Sequence, residues 1–228
     1  MTSAAKTVPT SRTTVRRLPE RGRYDIAEIR AILDSNFICH VALVTGDGPV
    51  VLPTLFGRDG DTMYLHGSTG AHMLRSMKDG ADVSVAVTNV DGIVVARSLF
   101  HHSINYRSVV VFGKASEVTD VEEKLHGLKV VTNHVMPGRW DEARRPSSKE
   151  FTQTAVLKLS ITESSAKVRT GNPKDEPEDM ALPVWAGVVP VYTRLGTPVP
   201  DSHLGKEIKP SPSVAAATRK WTTGPGGA

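Results

Sequence analysis

Short apolar segments, most of them separated by polar or glycine-containing turns, recur along the middle of this chain. They are rich in β-branched residues and occupy residues 37–44, 49–57, 62–68, 82–96, 106–118, 155–162 and 164–171. A TGDG sequence joins the first two, and its glycines can take the positive φ of a hairpin turn. The segment over 82–96 is interpreted as two strands around Asp91-Gly92. Six or more short strands at this spacing predict a mainly β fold, an antiparallel barrel or sandwich with a few helices.

Helical patterns are few. Asp25 is placed to cap a helix over 26–34, because Glu28 follows three residues later and the apolar residues share one face. Two further helices are predicted over 70–79 and 120–133. A doubly wound parallel sheet would alternate strands with helices throughout, and this sequence does not. It also lacks the glycine-rich motifs of Rossmann and P-loop domains, which argues against both classes.

The patterned sequence lies between two polar segments. Residues 1–22 are basic and rich in serine and threonine, and residues 205–228 contain prolines and end in GPGGA. Because neither has enough apolar residues to order itself, the prediction is a disordered or extended basic tail, one domain over 23–204 and a flexible C-terminal tail. No apolar run approaches the roughly 20 residues that a membrane helix needs, so no membrane partner is expected.

The chain has 28 basic and 24 acidic residues, a formal net charge of +4 that lies largely in the two end segments. No aromatic residues are interleaved with this charge, so a nucleic-acid partner is not expected. Cys39 is the single cysteine, which excludes an intramolecular disulfide and favours a reducing cytoplasm. Its place in an apolar strand predicts a core residue. The histidines show no metal-binding spacing, so no metal site is predicted.

A strand–turn–helix junction over 64–73 is the first candidate for a binding site. Free backbone N–H groups and the positive end of a helix dipole make such a junction suitable for a phosphate. The candidate ligands are two glycines for close approach, two hydroxyls and two side chains that add charge, namely Gly67, Gly70, Ser68, Thr69, His72 and Arg75. A serine or threonine cap on an ordinary helix explains the same pattern, and both interpretations remain open.

The second candidate lies just before the apolar run that begins at Val109. Asn105, Arg107 and Ser108 precede this run and would face a polar ligand at the rim of a barrel. A solvated loop leading into the strand explains them equally well. No catalytic nucleophile is apparent, because Ser68 does not lie in a G-x-S-x-G motif.

Five segments stand in a characteristic order: NFICHVA over 36–42, PTLF over 53–56, YLHGS over 64–68, NYRSVVVFG over 105–113 and PVWAGVVP over 183–190. Their order and spacing resemble the pyridoxamine phosphate oxidase-like flavoproteins, which have the FMN-binding split-barrel fold. The branch that looks most similar contains the flavin-nucleotide-binding or nitroimidazole-resistance proteins. The resemblance covers about residues 20–205 of the chain.

This resemblance implies a homodimer with FMN in a groove between the two chains. The implied cofactor-binding residues are Pro53, Thr54 and Leu55 beside the isoalloxazine ring, His66, Gly67, Ser68, Gly70, Ala71, His72 and Arg75 at the phosphate, Arg107 and Ser108 along the flavin, and Trp185 over the ring from the partner chain. The oxidases that give the family its name have an Arg-Lys pair at the phosphate turn. Here Ala71-His72 stands in its place.

The function expected from the resemblance is that of a cytoplasmic flavin-dependent oxidoreductase acting on a small molecule. Hydride transfer would take place at flavin N5, with His66 and Arg107 as catalytic residues that assist protonation or stabilise charge. Three alternatives remain open: a non-catalytic flavin-binding or storage module, the same barrel using FAD, deazaflavin or haem, and a barrel with no cofactor. The C-terminal Arg-x-His-type segment that binds pyridoxine phosphate is not found, so pyridoxamine phosphate oxidation is not expected.

Overall fold

Ten strands form one antiparallel sheet in the part of the chain described by the computed structural model, which comprises residues 7–70, 76–77 and 80–221. The mainly β fold predicted from the sequence is confirmed. The strands are β1 (Gly22–Arg23), β2 (Ile38–Thr45), β3 (Gly48–Asp59), β4 (Thr62–Ser68), β5 (Asp82–Val95), β6 (Ser103–Lys114), β7 (Ser116–Glu117), β8 (Thr154–Ser160), β9 (Ser164–Arg169) and β10 (Gly187–Pro190).

Five α-helices accompany the strands in these residues: α1 (Ile26–Asp34), α2 (Val121–Val135), α3 (Arg139–Glu142), α4 (Ser148–Gln153) and α5 (Pro212–Lys220). Asp25 caps α1 as predicted, because its carboxylate accepts hydrogen bonds from the N–H groups of Ala27 and Glu28. Most of the helix predicted over 70–79 lies outside the described residues.

The strands lie in the order β1-β9-β6-β5-β2-β3-β4-β8-β7, and β10 pairs with the end of β5 beyond the residues that pair with β2. Alternate residues of β2, which include Cys39 and Val41, point into a core that also contains Phe56 and Leu157. Burial raises the pKa of the Cys39 thiol to about 12. Cys39 is therefore a core residue, as its apolar strand predicted.

β5 is one long strand, whereas the sequence predicted two strands around a turn at Asp91-Gly92. The strand passes through this point with a shift of register between Val90 and Gly92. A Cβ atom at Gly92 would lie 2.8 Å from Cγ1 of Val188 on β10. Glycine is needed here because β10 approaches the strand closely. Gly92, which predicted a turn in the sequence, is therefore explained by this close approach and not by a turn.

Helix α2 packs on the outer side of β3 and β4. Tyr64, Leu128, Val131 and Val156 form a second apolar cluster between the helix and the sheet. Gly127 brings the helix close to the strands, since a Cβ atom there would lie 2.9 Å from a ring carbon of Tyr64. The helix thus covers the ends of β3 and β4 that pair with each other.

In each of the two predicted tails, some of the described residues pack against the rest of the chain, although most of the others are exposed. At the N-terminal side, Thr7 is buried and its N–H donates to the carbonyl of Tyr24 at 2.8 Å. At the C-terminal side, Trp221 follows α5, is only 2% exposed and contacts the ring of Phe37 edge-on at 4.8 Å. Trp221 anchors this segment together with Ser213, whose N–H donates to the carboxylate of Glu142 at 2.9 Å, and average composition did not reveal these contacts. No helix among the described residues is long and apolar enough to cross a membrane.

Candidate functional site

β3 changes its partner strand between Leu55 and Phe56. Its first eight residues pair with β2, whereas its last four pair with β4. β4 continues for three residues past this point, and there its pairing within the described residues is with β8 alone. The pairing between β3 and β4 therefore ends at Phe56 and Leu65, and the two strands separate beyond these residues. Six residues predicted to bind the cofactor flank this β3–β4 opening: Pro53, Thr54, Leu55, His66, Gly67 and Ser68.

His66 lies on the outer face of β4. Met63 and Leu65 belong to the core, so the alternation of a strand places His66 on the opposite side, together with Tyr64. The side chain is half-buried, and its Nδ1 atom is buried without a hydrogen-bond partner in the described chain. Burial also lowers the pKa of the imidazole. A buried polar atom without a partner is costly, so this nitrogen is a position where a bound group would be stabilised by a hydrogen bond.

The turn after β4 is held by two hydrogen bonds. The N–H of Gly70 donates to Oγ of Ser68 at 3.2 Å, and the N–H of Thr69 donates to the carbonyl of Gln153 at 3.0 Å. The Ser68 hydroxyl keeps its own proton available to a ligand. Ala71, His72 and Arg75, which the sequence predicted at the phosphate, lie outside the described residues, so their role stays a prediction.

Arg107 and Ser108 lie on β6, and β5, β2 and β3 separate them from β4 in the sheet. Arg107 donates two hydrogen bonds to the carboxylate of Asp91, at 2.9 and 2.8 Å, and this pairing raises the pKa of its guanidinium. Ser108 Oγ donates to the carbonyl of Lys167 at 3.3 Å. Within one chain the structure does not bring these two residues to His66. Their contact with a flavin stays a prediction.

Trp185 lies in the segment that leads into β10, on the β5 side of the sheet. Its side chain is 64% exposed, and one edge of its ring lies over Gly187, where a Cβ atom would be only 3.0 Å from a ring carbon. The chain thus presents a large aromatic surface to its surroundings, away from its own β3–β4 opening. The predicted role of Trp185, covering a flavin bound mainly by a partner chain, stays a prediction.

A cavity of about 350 Å³ that the sequence did not predict lies over the outer face of β2 and β5. Residues 191–195, which follow β10, form one side of it, and His40 lies within it. One signal for it was present in the sequence. Cys39 was predicted to face the core, and strand alternation then places His40 outside. The packing of residues 191–195 over the sheet had no local signal.

A sequence model of the pyridoxamine 5'-phosphate oxidase family matches residues 25–168, more than half of the chain. The chain belongs to this family, and the resemblance drawn from the sequence is thereby confirmed. A search of curated protein sequences found no match.

Two solved structures resemble nearly the whole chain. A flavocytochrome from Azotobacter vinelandii is 36% identical, with a TM-score of 0.86 and a match that covers 91% of this chain and 97% of the other. An FAD- and haem-binding protein from Mycobacterium smegmatis is 38% identical, with a TM-score of 0.84 and coverage of 87% and 97%. A candidate 5-nitroimidazole antibiotic resistance protein from Bacteroides thetaiotaomicron, 23% identical, shares the fold, with a TM-score of 0.55 and coverage of 64% and 86%.

Proposed function

We propose that this protein binds a flavin nucleotide at the β3–β4 opening and acts as an oxidoreductase on a small molecule. The observation that carries the proposal is the buried Nδ1 of His66, which has no partner among the described residues at the point where the two strands separate. Leu55, 38% exposed on the facing strand, offers an apolar surface for a flat ring. The relative at 36% identity is named a flavocytochrome and the relative at 38% identity is named for FAD, and both names support the binding of a flavin.

The resemblance implies FMN, whereas the Mycobacterium smegmatis relative is named for FAD. Both nucleotides have the same ring and a phosphate next to the ribityl chain, so the β3–β4 opening suits either. We include haem as a second cofactor in the proposal, because both relatives are named for a haem or a cytochrome. Deazaflavin remains the alternative if no flavin is found.

A bound flavin supplies hydride transfer at N5 of its ring. The chain contributes the surroundings of that ring. Neutral His66 carries a proton on one nitrogen and accepts a hydrogen bond on the other, so it can orient a ring or move a proton. The predicted contact of Arg107 with the flavin needs a second chain, because within one chain Arg107 is not brought to His66. Asp91 holds this guanidinium, and its carboxylate partly cancels the field of the positive charge.

We also propose a homodimer with the cofactor at the subunit interface, in the cytoplasm. Support comes from the outer face of β2 and β3, where Val44 is 75% exposed and Val51 is 62% exposed. Apolar surface of this kind on neighbouring strands is typical of a protein interface. An exposed Trp185 fits the same arrangement, because a partner chain would bring it to a second opening.

The experiment that tests the proposed function is an absorption spectrum of the protein purified without added cofactor. We expect the two visible bands of a flavin, and mass spectrometry of the heat-released supernatant distinguishes FMN from FAD. A colourless protein that also fails to bind added FMN and FAD would contradict the proposal. Bleaching of the flavin by NADH or NADPH in a stopped-flow instrument separates an enzyme from a storage module, which would bleach slowly or not at all.

Replacing His66 with alanine is expected to lower turnover at saturating flavin by about 100-fold, because a positioned acid–base group contributes roughly 10²–10⁴ to a rate. The measurement is the rate of flavin bleaching by the reductant. His203→Ala is a matched control, since that side chain is 92% exposed, and it should turn over like the wild type. If His66→Ala turned over at the same rate, His66 would have no part in the mechanism.

A further inference from the structure

The cavity over β2 and β5 lies beside the residues assigned to the flavin. In the pairing of β2 with β3, Ile38 stands opposite Leu55. Two residues further along β2, His40 stands opposite Pro53. Residues opposite each other in an antiparallel sheet point to the same face. Ile38 and His40 line the cavity, so its floor continues into the surface offered to the isoalloxazine ring. A molecule in the cavity would therefore lie next to a flavin bound at the β3–β4 opening.

The size and the walls of the cavity suit a small flat molecule. Its volume of about 350 Å³ is at the lower end of the roughly 300–1,000 Å³ of ligand pockets. Val191 and Leu195 form part of one wall. Phe37 and Trp221 add two aromatic rings to the lining, and these rings meet edge-on with their centroids 4.8 Å apart. Aromatic side chains offer a flat apolar surface against which another ring packs.

The lining favours a neutral molecule. All of its residues belong to the described part of the chain, and there is no lysine, arginine, aspartate or glutamate among them. Half of the lining residues are nevertheless polar. A phosphate or carboxylate in this cavity would lose its water without gaining an opposite charge. The cavity therefore suits a ligand that carries polar atoms but no net charge.

Three of the polar lining residues are engaged with one another. Nδ2 of Asn89 donates to Oγ of Ser35 at 2.9 Å, and Nδ2 of Asn36 donates to Oδ1 of Asn89 at 3.2 Å. Oδ1 of Asn36 in turn accepts from the N–H of Ile38 at 3.0 Å. These hydrogen bonds hold the end of α1 against β5 and β2. The network thus fixes the shape of the wall.

His40 and Thr88 are the donors left for a ligand. Neither side chain has a hydrogen bond or ion pair within the described chain, and both are exposed on the outer face of the sheet. His40 stands opposite Ala86 of β5, so Thr88, two residues further on, is its diagonal neighbour at about 7–8 Å. Two donors at this separation suit a ring that carries an oxygen atom at each end.

We propose that this cavity binds a quinone, with His40 and Thr88 donating hydrogen bonds to its two carbonyl oxygens. The inference rests on the proposed function and names the class of its substrate. A quinone is flat and neutral and has two acceptor atoms, which matches the walls, the charge and the free donors of the cavity. Reduction of the quinone to the hydroquinone would be the reaction.

The quinone gains two electrons and two protons in this reaction, and its two C=O bonds become C–OH groups. A hydride from N5 of the reduced flavin supplies both electrons and one proton. The second proton comes from the protonated imidazole of His40, which is exposed and takes another proton from water. The electrons come from NADH or NADPH, the reductants tested for the proposed function.

The first test is a calorimetric titration of the oxidised, flavin-loaded protein with menadione, a naphthoquinone that is not reduced when no reductant is present. We expect one site per flavin. Thr88→Val keeps the shape of the side chain but removes the donor, so it should bind menadione about threefold to tenfold more weakly. His40→Gln keeps a donor and should bind within about twofold of the wild type. His203→Ala is the control and should bind like the wild type.

The second test is the rate of menadione reduction by NADH or NADPH. Glutamine donates a hydrogen bond but does not carry a proton, so His40→Gln should turn over about 100-fold more slowly at an unchanged affinity. Thr88→Val should raise KM and leave kcat close to that of the wild type. A merely structural role of His40 would instead weaken the binding of menadione or of flavin.

The contrary outcomes are distinct. A wild type that holds flavin but binds no menadione would overturn the quinone site and leave the proposed function intact, whereas a protein without flavin would contradict both. 2-Naphthoate, a similar ring system with a carboxylate, should bind at least about tenfold more weakly than menadione, and tighter binding would overturn the assignment to a neutral ligand. Wild-type affinity in Thr88→Val or wild-type turnover in His40→Gln would overturn the role of that residue.

Discussion

Replacing Gly57 with alanine is expected to lower the free energy of unfolding by about 3 kcal/mol, at the upper end of what overpacking a core costs. A Cβ atom at this position would lie 2.7 Å from Cα of Val131 and 2.8 Å from the carbonyl carbon and oxygen of Val130. These neighbours are backbone atoms of α2, so no side-chain rotation can relieve the clash. The whole helix would have to move away from β3.

Gly46→Ala is the matched control for this variant. Gly46 lies in the turn between β2 and β3, and a Cβ atom there would meet nothing within 4 Å. We expect its stability to stay within about 0.5 kcal/mol of the wild type. Urea unfolding of the three proteins measures the difference. A Gly57→Ala protein as stable as the Gly46→Ala protein would show that α2 can shift at no cost.

The consequence of the Gly57 substitution extends to the candidate site. Gly57 is the second residue after the point where β3 changes its partner from β2 to β4. Movement of α2 here would alter how far the two strands separate. Flavin affinity in Gly57→Ala is therefore expected to fall together with stability, while Gly46→Ala retains the wild-type affinity.

Strand alternation and helix caps made most of the fold predictable. Asp25 and the apolar face of α1 fixed one helix, and the buried side of β2 followed from Cys39 and Val41. The residues that meet at the β3–β4 opening were grouped through the family resemblance. They are local in sequence, since β3 and β4 are joined by a short turn at Gly60. Local patterns are what a single sequence expresses well.

The features that escaped prediction depend on contacts between distant parts of the chain. Asp91 pairs with Arg107, and the close approach of Val188 explains Gly92, although neither partner has a sequence pattern that names the other. The cavity around His40 needs residues 191–195 to fold back over the sheet. The N–H of Val191 anchors that segment by donating to the carbonyl of Asp91 at 3.2 Å. Such contacts depend on tertiary packing, and the composition of the chain carries no information about which distant residues meet.

His134 makes the stability of the protein depend on pH. Its Nε2 donates to the carbonyl of Asn36 at 2.8 Å, and its ring packs 4.9 Å from that of Phe56 and 5.6 Å from that of Trp221. The pKa of this imidazole is lowered to about 4, chiefly by burial, and the charge of Lys220 contributes in the same direction. Of the other charges that act on it, Arg58 also lowers the pKa and Asp34 raises it.

The unfolded chain takes up a proton at His134 near pH 6.5, whereas the folded protein does so only near pH 4. Between these values the unfolded state binds more protons, so stability falls as the pH falls. The difference in pKa corresponds to a loss of about 3 kcal/mol that is complete below pH 4. Above pH 6.5 both states hold a neutral ring, and the contribution of His134 no longer changes. Burial also lowers the pKa of His66, so that residue adds a loss in the same direction.

Urea unfolding of the wild type and of His134→Gln at pH 7 and at pH 4.5 measures this effect. Glutamine keeps an N–H donor for the carbonyl of Asn36 but does not titrate, so it should lose about 2–3 kcal/mol less than the wild type between the two pH values. The carboxylates titrate alike in both proteins, so their contribution to the loss of stability cancels when the two proteins are compared. His203→Ala, which removes an exposed histidine, should follow the wild type. Parallel losses in His134→Gln and the wild type would mean that His134 is protonated in the folded state, and the ring cluster that joins Trp221 to Phe56 would then have to tolerate a charge.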